Sequence, residues 1–176
     1  MTSPTATRVL LGVGSNIQRE QHIVSGLDDL HRRFGTLRVS PIYESAAVGF
    51  NGRPFYNLAV EVWIRQSLPE LVTALREIEA AHGRLRTEKK FSSRTLDIDV
   101  LTYGDLAGEH HGVLLPRDEV YHYAHVLKPL LDLDPQGRCP GSGRSWQQLW
   151  DALENPGALT EVPLVWTPSQ VAVAHS

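Results

Sequence analysis

The chain has 176 residues, 41% of them hydrophobic and 21% charged, with a formal net charge of −3; this balance is that of a soluble globular protein and excludes a mainly disordered one. A single cysteine, Cys139, excludes a disulfide framework within the chain, and no uncharged apolar stretch reaches the roughly 20 residues of a membrane helix. The acidic total gives no reason to expect nucleic acid as a partner, and the stretch from Met1 to Arg8 lacks the basic and apolar segments of a secretion signal, so the expectation is a cytoplasmic protein.

No repeat, low-complexity tract or linker divides the sequence, which leads us to expect one domain over residues 1–176. Arg8 to Gly14 is short and apolar and ends at the turn residues Gly14, Ser15 and Asn16, the pattern of a buried strand. From Arg19 to Phe34, Ile23, Leu27, Leu30 and Phe34 recur on one helical face before Gly35 stops the helix. Leu37 to Ala47 and Phe55 to Ile64 are rich in β-branched and aromatic residues and read as antiparallel strands. Ser67 caps a second helix, with Pro69 in its first turn and Leu71, Leu75 and Ile78 in register up to Gly83. Leu96, Ile98 and Val100 then alternate with Asp97 and Asp99 on a further strand. The order βαββαβ is that of an α+β, ferredoxin-like antiparallel sheet with helices packed on it. Beyond it we expect a hairpin within Gly104 to Leu115, a short helix and extended pieces from Glu119 to Leu133, and a capped helix from Ser145 to Leu153 carrying Trp146 and Trp150.

Asp97 and Asp99 point to one face of their strand about 6.5 Å apart along it, so their carboxylates repel unless a cation lies between them. A hard metal ion such as Mg²⁺, held by two carboxylates plus water and phosphate oxygens, resolves that conflict; a solvated edge with Arg94 as partner is the other reading. Arg84, Arg86, Lys89, Lys90 and Arg94 stand against Glu88 alone in the segment just before this strand. Guanidinium groups beside a metal suit a polyphosphate, and a solvated basic loop is the bland alternative. Glu79, near the end of the second helix, is either drawn to this region or a solvated helix residue. Phe55 and Asn57 share a strand face and offer a ring and an amide to a flat heterocycle, although core packing is the commoner use of such a Phe. No dinucleotide fingerprint, Walker A loop, zinc set or Gly-x-Ser-x-Gly elbow is present, and Cys139 has no activating base beside it in sequence.

These residues give the sequence its resemblance to the 6-hydroxymethyl-7,8-dihydropterin pyrophosphokinases. The matching blocks run from Val9 to Leu133: Leu11 to Asn16, Ser40 to Glu44 with Val48 and Gly49, Arg53 to Val60, Ile78-Glu79 with Gly83, Arg84 and Arg86, Arg94 to Leu101, and Val126 to Leu130. The resemblance implies transfer of diphosphate from ATP to a pterin alcohol with release of AMP, on a ferredoxin-like fold. It implies that Asp97 and Asp99 hold two Mg²⁺ ions, that Arg84 and Arg94 grip the transferred phosphates, and that Glu79 and Arg86 contact ATP. Phe55 would stack on the pterin and Asn57 hydrogen-bond to it, with the Ser45 to Val48 backbone reading the rest of the ring edge. Where such enzymes have Pro-His and then an Arg followed by an aromatic, this chain has Pro116-Arg117 and Tyr123-Ala-His125. Arg117 thus stands near ATP in place of the His, and His125 in place of the second stacking ring. The partners implied are small molecules, with a monomer expected. A paralogue that binds a pterin or nucleotide with little turnover is the alternative, and a ferredoxin-like RNA-binding module a more distant one.

Overall fold

A computed structural model describes residues 5–47, 52–83, 95–154 and 156–168. Strand β1 (Thr7–Ser15) leads into helix α1 (Arg19–Phe34), and two short strands, β2 (Arg38–Val39) and β3 (Ile42–Ser45), precede the long β4 (Phe55–Ile64). Helix α2 (Leu68–Ala81) and strand β5 (Asp97–Tyr103) complete the first half. The small pair β6 (Gly108–His110) and β7 (Val113–Leu115), a 3-10 turn (Asp118–Tyr121), helices α3 (Ala124–Leu133) and α4 (Trp146–Ala152), and strand β8 (Thr160–Val162) follow.

The main sheet runs β5-β1-β4-β3-β8, with β2 also on β4, and every pairing is antiparallel. This is the expected α+β, ferredoxin-like order. The expected strand from Leu37 to Ala47 is broken in two at Ser40 and Pro41. Pro41 has no N–H for a ladder, and the Ser40 hydroxyl accepts the Ala59 amide at 2.8 Å instead. Helix α2 starts where its capping box requires, with the Ser67 N–H donating to the Glu70 carboxylate at 2.8 Å and the Ser67 hydroxyl accepting the Glu70 amide.

Strand alternation gives the sheet two apolar faces. Val9, Leu11, Val13, Leu58, Val60, Val62, Ile98 and Val100 pack under α1 and α2. Gly26 permits the close approach there, since a Cβ at that position would lie 2.9 Å from a Leu96 methyl. Leu10, Ala59 and Leu101 face the other way, into a second cluster with Leu127, Leu130, Leu133, Trp146 and Leu149. The ladder between β1 and β5 shifts register between Leu10 and Leu11, so Leu101 is an extra residue that joins its neighbours on this second face. The segment expected to be partly extended is largely helical here. Pro129 inside α3 forfeits about 3 kcal/mol, whereas the leucines of α3 that are buried contribute roughly 1.5–3 kcal/mol each. Strand β8, which the sequence did not suggest, extends the sheet beyond β3.

Ion pairs fasten the second layer to the sheet. Glu61, buried on β4, accepts from Arg8 at 2.5 Å and from Arg38 at 3.2 Å, and Arg38 also donates to the Leu133 carbonyl at the end of α3. Between α1 and α2 the link is a chain of imidazoles. A carboxylate only accepts, so His82 donates from Nε2 to Asp29 at 3.0 Å; its Nδ1 then accepts the Nδ1–H of His22 at 2.9 Å. This arrangement requires His82 to be neutral, since its Nδ1 accepts, and burial lowers both pKa values below the ordinary 6.5, His22 being lowered further by His82.

A depressed folded pKa means that the unfolded chain takes up protons first as pH falls. The stability contributed by this pair is therefore complete above about pH 6.5 and is lost progressively below it. Urea midpoints are expected to fall between about pH 7.5 and 5.5, and a His22→Gln/His82→Gln double variant to show a flatter dependence over that interval.

Candidate active site

One end of the second sheet face carries Asp97, Asp99 and Asn57, with Arg117 beside it. Asp97 and Asp99 alternate with Ile98, which is fully buried under α2, so both carboxylates project to the side on which α3 lies. The ladder fixes what stands beside them: Asp97 is level with Gly14, Gly14 with Asn57, and Asn57 with Tyr43. Asp99 is likewise level with Gly12, and Gly12 with Ala59. Two strand spacings of about 4.8 Å therefore separate the carboxylate strand from the Asn57 strand, and the strand between them presents glycines on this face. A Cβ on Gly14 would lie 3.6 Å from the Asn57 Oδ1 and 3.8 Å from the Phe55 ring. Glycine thus leaves a floor with no side chain between the acidic pair and the amide.

Asn57 is buried and held. Its Nδ2 donates to the Ser45 hydroxyl at 2.8 Å and to the Tyr43 carbonyl at 3.2 Å. This directs Oδ1 over Gly14, where it can accept from a planar ligand's N–H edge. Phe55, half-buried, lies two residues earlier on the same face and is level with Ser45. Tyr43 is anchored in turn by a hydrogen bond from its hydroxyl to Asp132 of α3, and burial together with that carboxylate raises its pKa.

Arg117 and His125 complete this end. The Arg117 amide donates to the Leu101 carbonyl at 2.9 Å, which holds the residue alongside β5. Its guanidinium lies 2.8 Å from Glu119 and 3.8 Å from Asp99. Burial pulls its pKa down, but Asp99, Glu119 and Asp97 together outweigh burial and leave it above the ordinary value. His125, in the first turn of α3, stacks on Tyr123 with ring centroids 5.3 Å apart and planes at 28°. Burial lowers its pKa in spite of Glu119, so the imidazole is neutral near pH 7.

Glu79 overturns the simple reading of a solvated helix residue. It is buried at 1% exposure; one carboxylate oxygen accepts the Ile98 amide at 2.7 Å and the other a hydrogen bond from Arg76 at 3.2 Å. Glu79 therefore fastens the peptide between Asp97 and Asp99 to α2. The strand that carries the aspartates lies at the edge of the main sheet, the Asp99 side chain is 13% exposed, and Arg94, the partner named in the solvated-edge reading, is not among the described residues. Val48, Arg84, Arg86 and Arg94 lie outside the described residues. Among those that are described, no group of three or more His, Cys, Asp or Glu side chains converges on a metal site. Two carboxylates on one strand face nevertheless fit Mg²⁺, which keeps several waters and takes its remaining oxygens from a phosphate. Sequence reasoning missed the role of Gly14 in the floor and of Gly12, on which the Leu101 side chain packs, although two glycines two apart on a strand signal close approach on one face. It missed Glu119 and Asp132 as well, for which no local pattern gives a signal.

The 7,8-dihydro-6-hydroxymethylpterin-pyrophosphokinase family model matches residues 10–135. A 2-amino-4-hydroxy-6-hydroxymethyldihydropteridine pyrophosphokinase of Synechocystis is 34% identical over 148 residues, 77% of this chain and 75% of that protein. The protein of the same name from Pseudomonas aeruginosa is 34% identical over 151 residues, covering 81% and 89%. The folic acid synthesis protein of Schizosaccharomyces pombe is 32% identical over 151 residues, of which this chain spans only 20% of the length. Among solved structures, wild-type Plasmodium falciparum HPPK-DHPS superposes with a TM-score of 0.66 at 12% identity, over 86% of this chain and 45% of that one. That likeness establishes the fold.

Removing the Glu79 carboxylate leaves the Ile98 amide without its buried acceptor. Glu79→Ala is expected to cost about 1–3 kcal/mol, measured by urea denaturation, and Glu79→Gln to recover part of it by keeping one acceptor oxygen.

Proposed function

The chain belongs to the 7,8-dihydro-6-hydroxymethylpterin-pyrophosphokinase family, and from that footing we propose that it transfers diphosphate from ATP to the hydroxymethyl group of 6-hydroxymethyl-7,8-dihydropterin and releases AMP. The observation that carries this reading is the row Asp97, Gly14 and Asn57 across three neighbouring strands. It supports a polyphosphate end and a heterocycle end of one site, joined over a glycine floor.

In this reading the pterin lies against Phe55 and presents its N–H edge to the Asn57 Oδ1, which Ser45 and the Tyr43 carbonyl hold in place. The neutral His125 ring, backed by Tyr123, serves as the second stacking surface. Asp97 and Asp99 hold Mg²⁺, which when bound supplies charge neutralisation on the triphosphate. Arg84, Arg86 and Arg94 are assigned to the phosphates, and the backbone at Val48 to the pterin edge, on the family resemblance. Glu79 acts by fixing the acidic strand. The hydroxymethyl oxygen forms a bond to the β-phosphorus, and the bond from that phosphorus to the α,β-bridging oxygen breaks. AMP leaves with the electron pair, and the hydroxyl proton is released. Catalysis rests on positioning and on charge neutralisation. The same proposal takes residues 1–176 as one domain acting as a monomer on small molecules.

Chromatographic detection of AMP from ATP, the pterin alcohol and Mg²⁺ tests this directly. Wild-type protein is expected to form AMP, and Asp97→Ala or Asp99→Ala to lower the rate by about 10²–10³-fold or more. A folded wild-type protein without AMP formation at excess Mg²⁺ overturns the reading; calorimetric binding of pterin without turnover would then favour the paralogue that the Tyr123 and His125 pair suggests.

A further inference from the structure

Arg117 is placed unlike a residue that only waits for a ligand. Its backbone is fixed at both groups, by its amide on the Leu101 carbonyl and by its carbonyl accepting the Val120 amide at 3.1 Å. Its side chain is divided between two carboxylates: Nε and Nη2 lie 3.0 and 2.8 Å from the same Glu119 oxygen, while Nε stands 3.8 Å from Asp99. The guanidinium is thus parked on Glu119 with its charge against the acidic pair, and its side chain is 36% exposed. Five N–H donors serve this group, so its fork can also engage phosphate oxygens while the residue keeps its backbone anchors.

A fixed positive charge beside two carboxylates lowers their attraction for any further cation. A triphosphate changes the balance, because its oxygens give the guanidinium a better partner than a carboxylate 3.8 Å away. We propose that Arg117 is an internal counter-ion of the Asp97 and Asp99 pair, held ready by Glu119, which disfavours binding of a free divalent cation and yields when the cation arrives with a triphosphate. Metal and nucleotide binding are coupled through this one side chain, and coupling of that kind is reciprocal. The proposal rests on the reading of Asp97 and Asp99 as the cation-holding pair.

Mn²⁺ is the probe, with free ion measured by electron paramagnetic resonance on the full chain, with and without α,β-methylene ATP. Without nucleotide, Arg117→Gln is expected to bind Mn²⁺ about ten-fold more tightly than wild type, and Arg117→Lys, which keeps the charge, to stay near wild type. Glu119→Gln should weaken Mn²⁺ binding, and by more when Arg117 is present than in the Arg117→Gln background. The ATP analogue should tighten Mn²⁺ binding to wild type by a larger factor than to Arg117→Gln. Unchanged or weakened nucleotide-free Mn²⁺ binding by a folded Arg117→Gln protein, checked by thermal unfolding, overturns the proposal. Equal Mn²⁺ binding by wild type and Asp99→Ala would instead remove the underlying assignment of the aspartates.

Discussion

Two carboxylates two residues apart on one strand are an electrostatic liability, and the surrounding structure is organised around containing it. The peptide between Asp97 and Asp99 donates its N–H to Glu79, a third carboxylate buried beneath the sheet. That bond sets the position of the strand, and strand alternation sends the two aspartates to the opposite face. Arg117 stands on that face with its guanidinium drawn toward Asp99 and Glu119. The acidic strand is therefore held from below by a hydrogen bond, and its charge is partly offset from above by Arg117.

The two layers of helices divide the work accordingly. Helices α1 and α2 bury the larger apolar face and supply Glu79. Helices α3 and α4 bury part of the second face through Leu10, Ala59 and Leu101, and among the described residues Gly14, Asn57 and the aspartates lie outside that apolar cluster. Arg8 and Arg38, both paired with Glu61, fasten the end of α3 through Asp134 and the Leu133 carbonyl, at a different part of β4 from Asn57. Tyr43 and Asp132 tie α3 to β3, beside the amide that reads a ligand edge. Rigid strands thus carry the polar groups, and the added helix carries the stacking pair Tyr123 and His125.

Arg117 and His125 also show why family resemblance and geometry are both needed. Family membership supplies the reaction, and identity of about a third with the relatives is compatible with many differences in side-chain contacts. The contacts of Arg117 with Glu119 and of His125 with Tyr123 are properties of these residues in this arrangement. A guanidinium carries a permanent charge, so Arg117 acts on the carboxylates through electrostatics as well as through hydrogen bonds.

Period-two and period-3.6 patterns made the six elements of the βαββαβ order legible, the third of which the structure divides into β2 and β3, with helix α1 and strand β4 beginning and ending where composition placed them. The same alternation, read along the chain alone, put Asp97 with Asp99, and Phe55 with Asn57, on shared faces. Local chemistry also located the caps at Ser67 and Ser145. What the sequence could not settle was which polar groups meet: Glu79 with the Ile98 amide, Arg117 with Glu119 and Asp99, Tyr43 with Asp132, and the glycine floor between Asp97 and Asn57. Except for Arg117 with Glu119, these contacts join residues far apart along the chain, and they depend on strand order and register. Local periodicity determines which face a side chain takes; only closure of the sheet and the docking of α3 decide what that face meets.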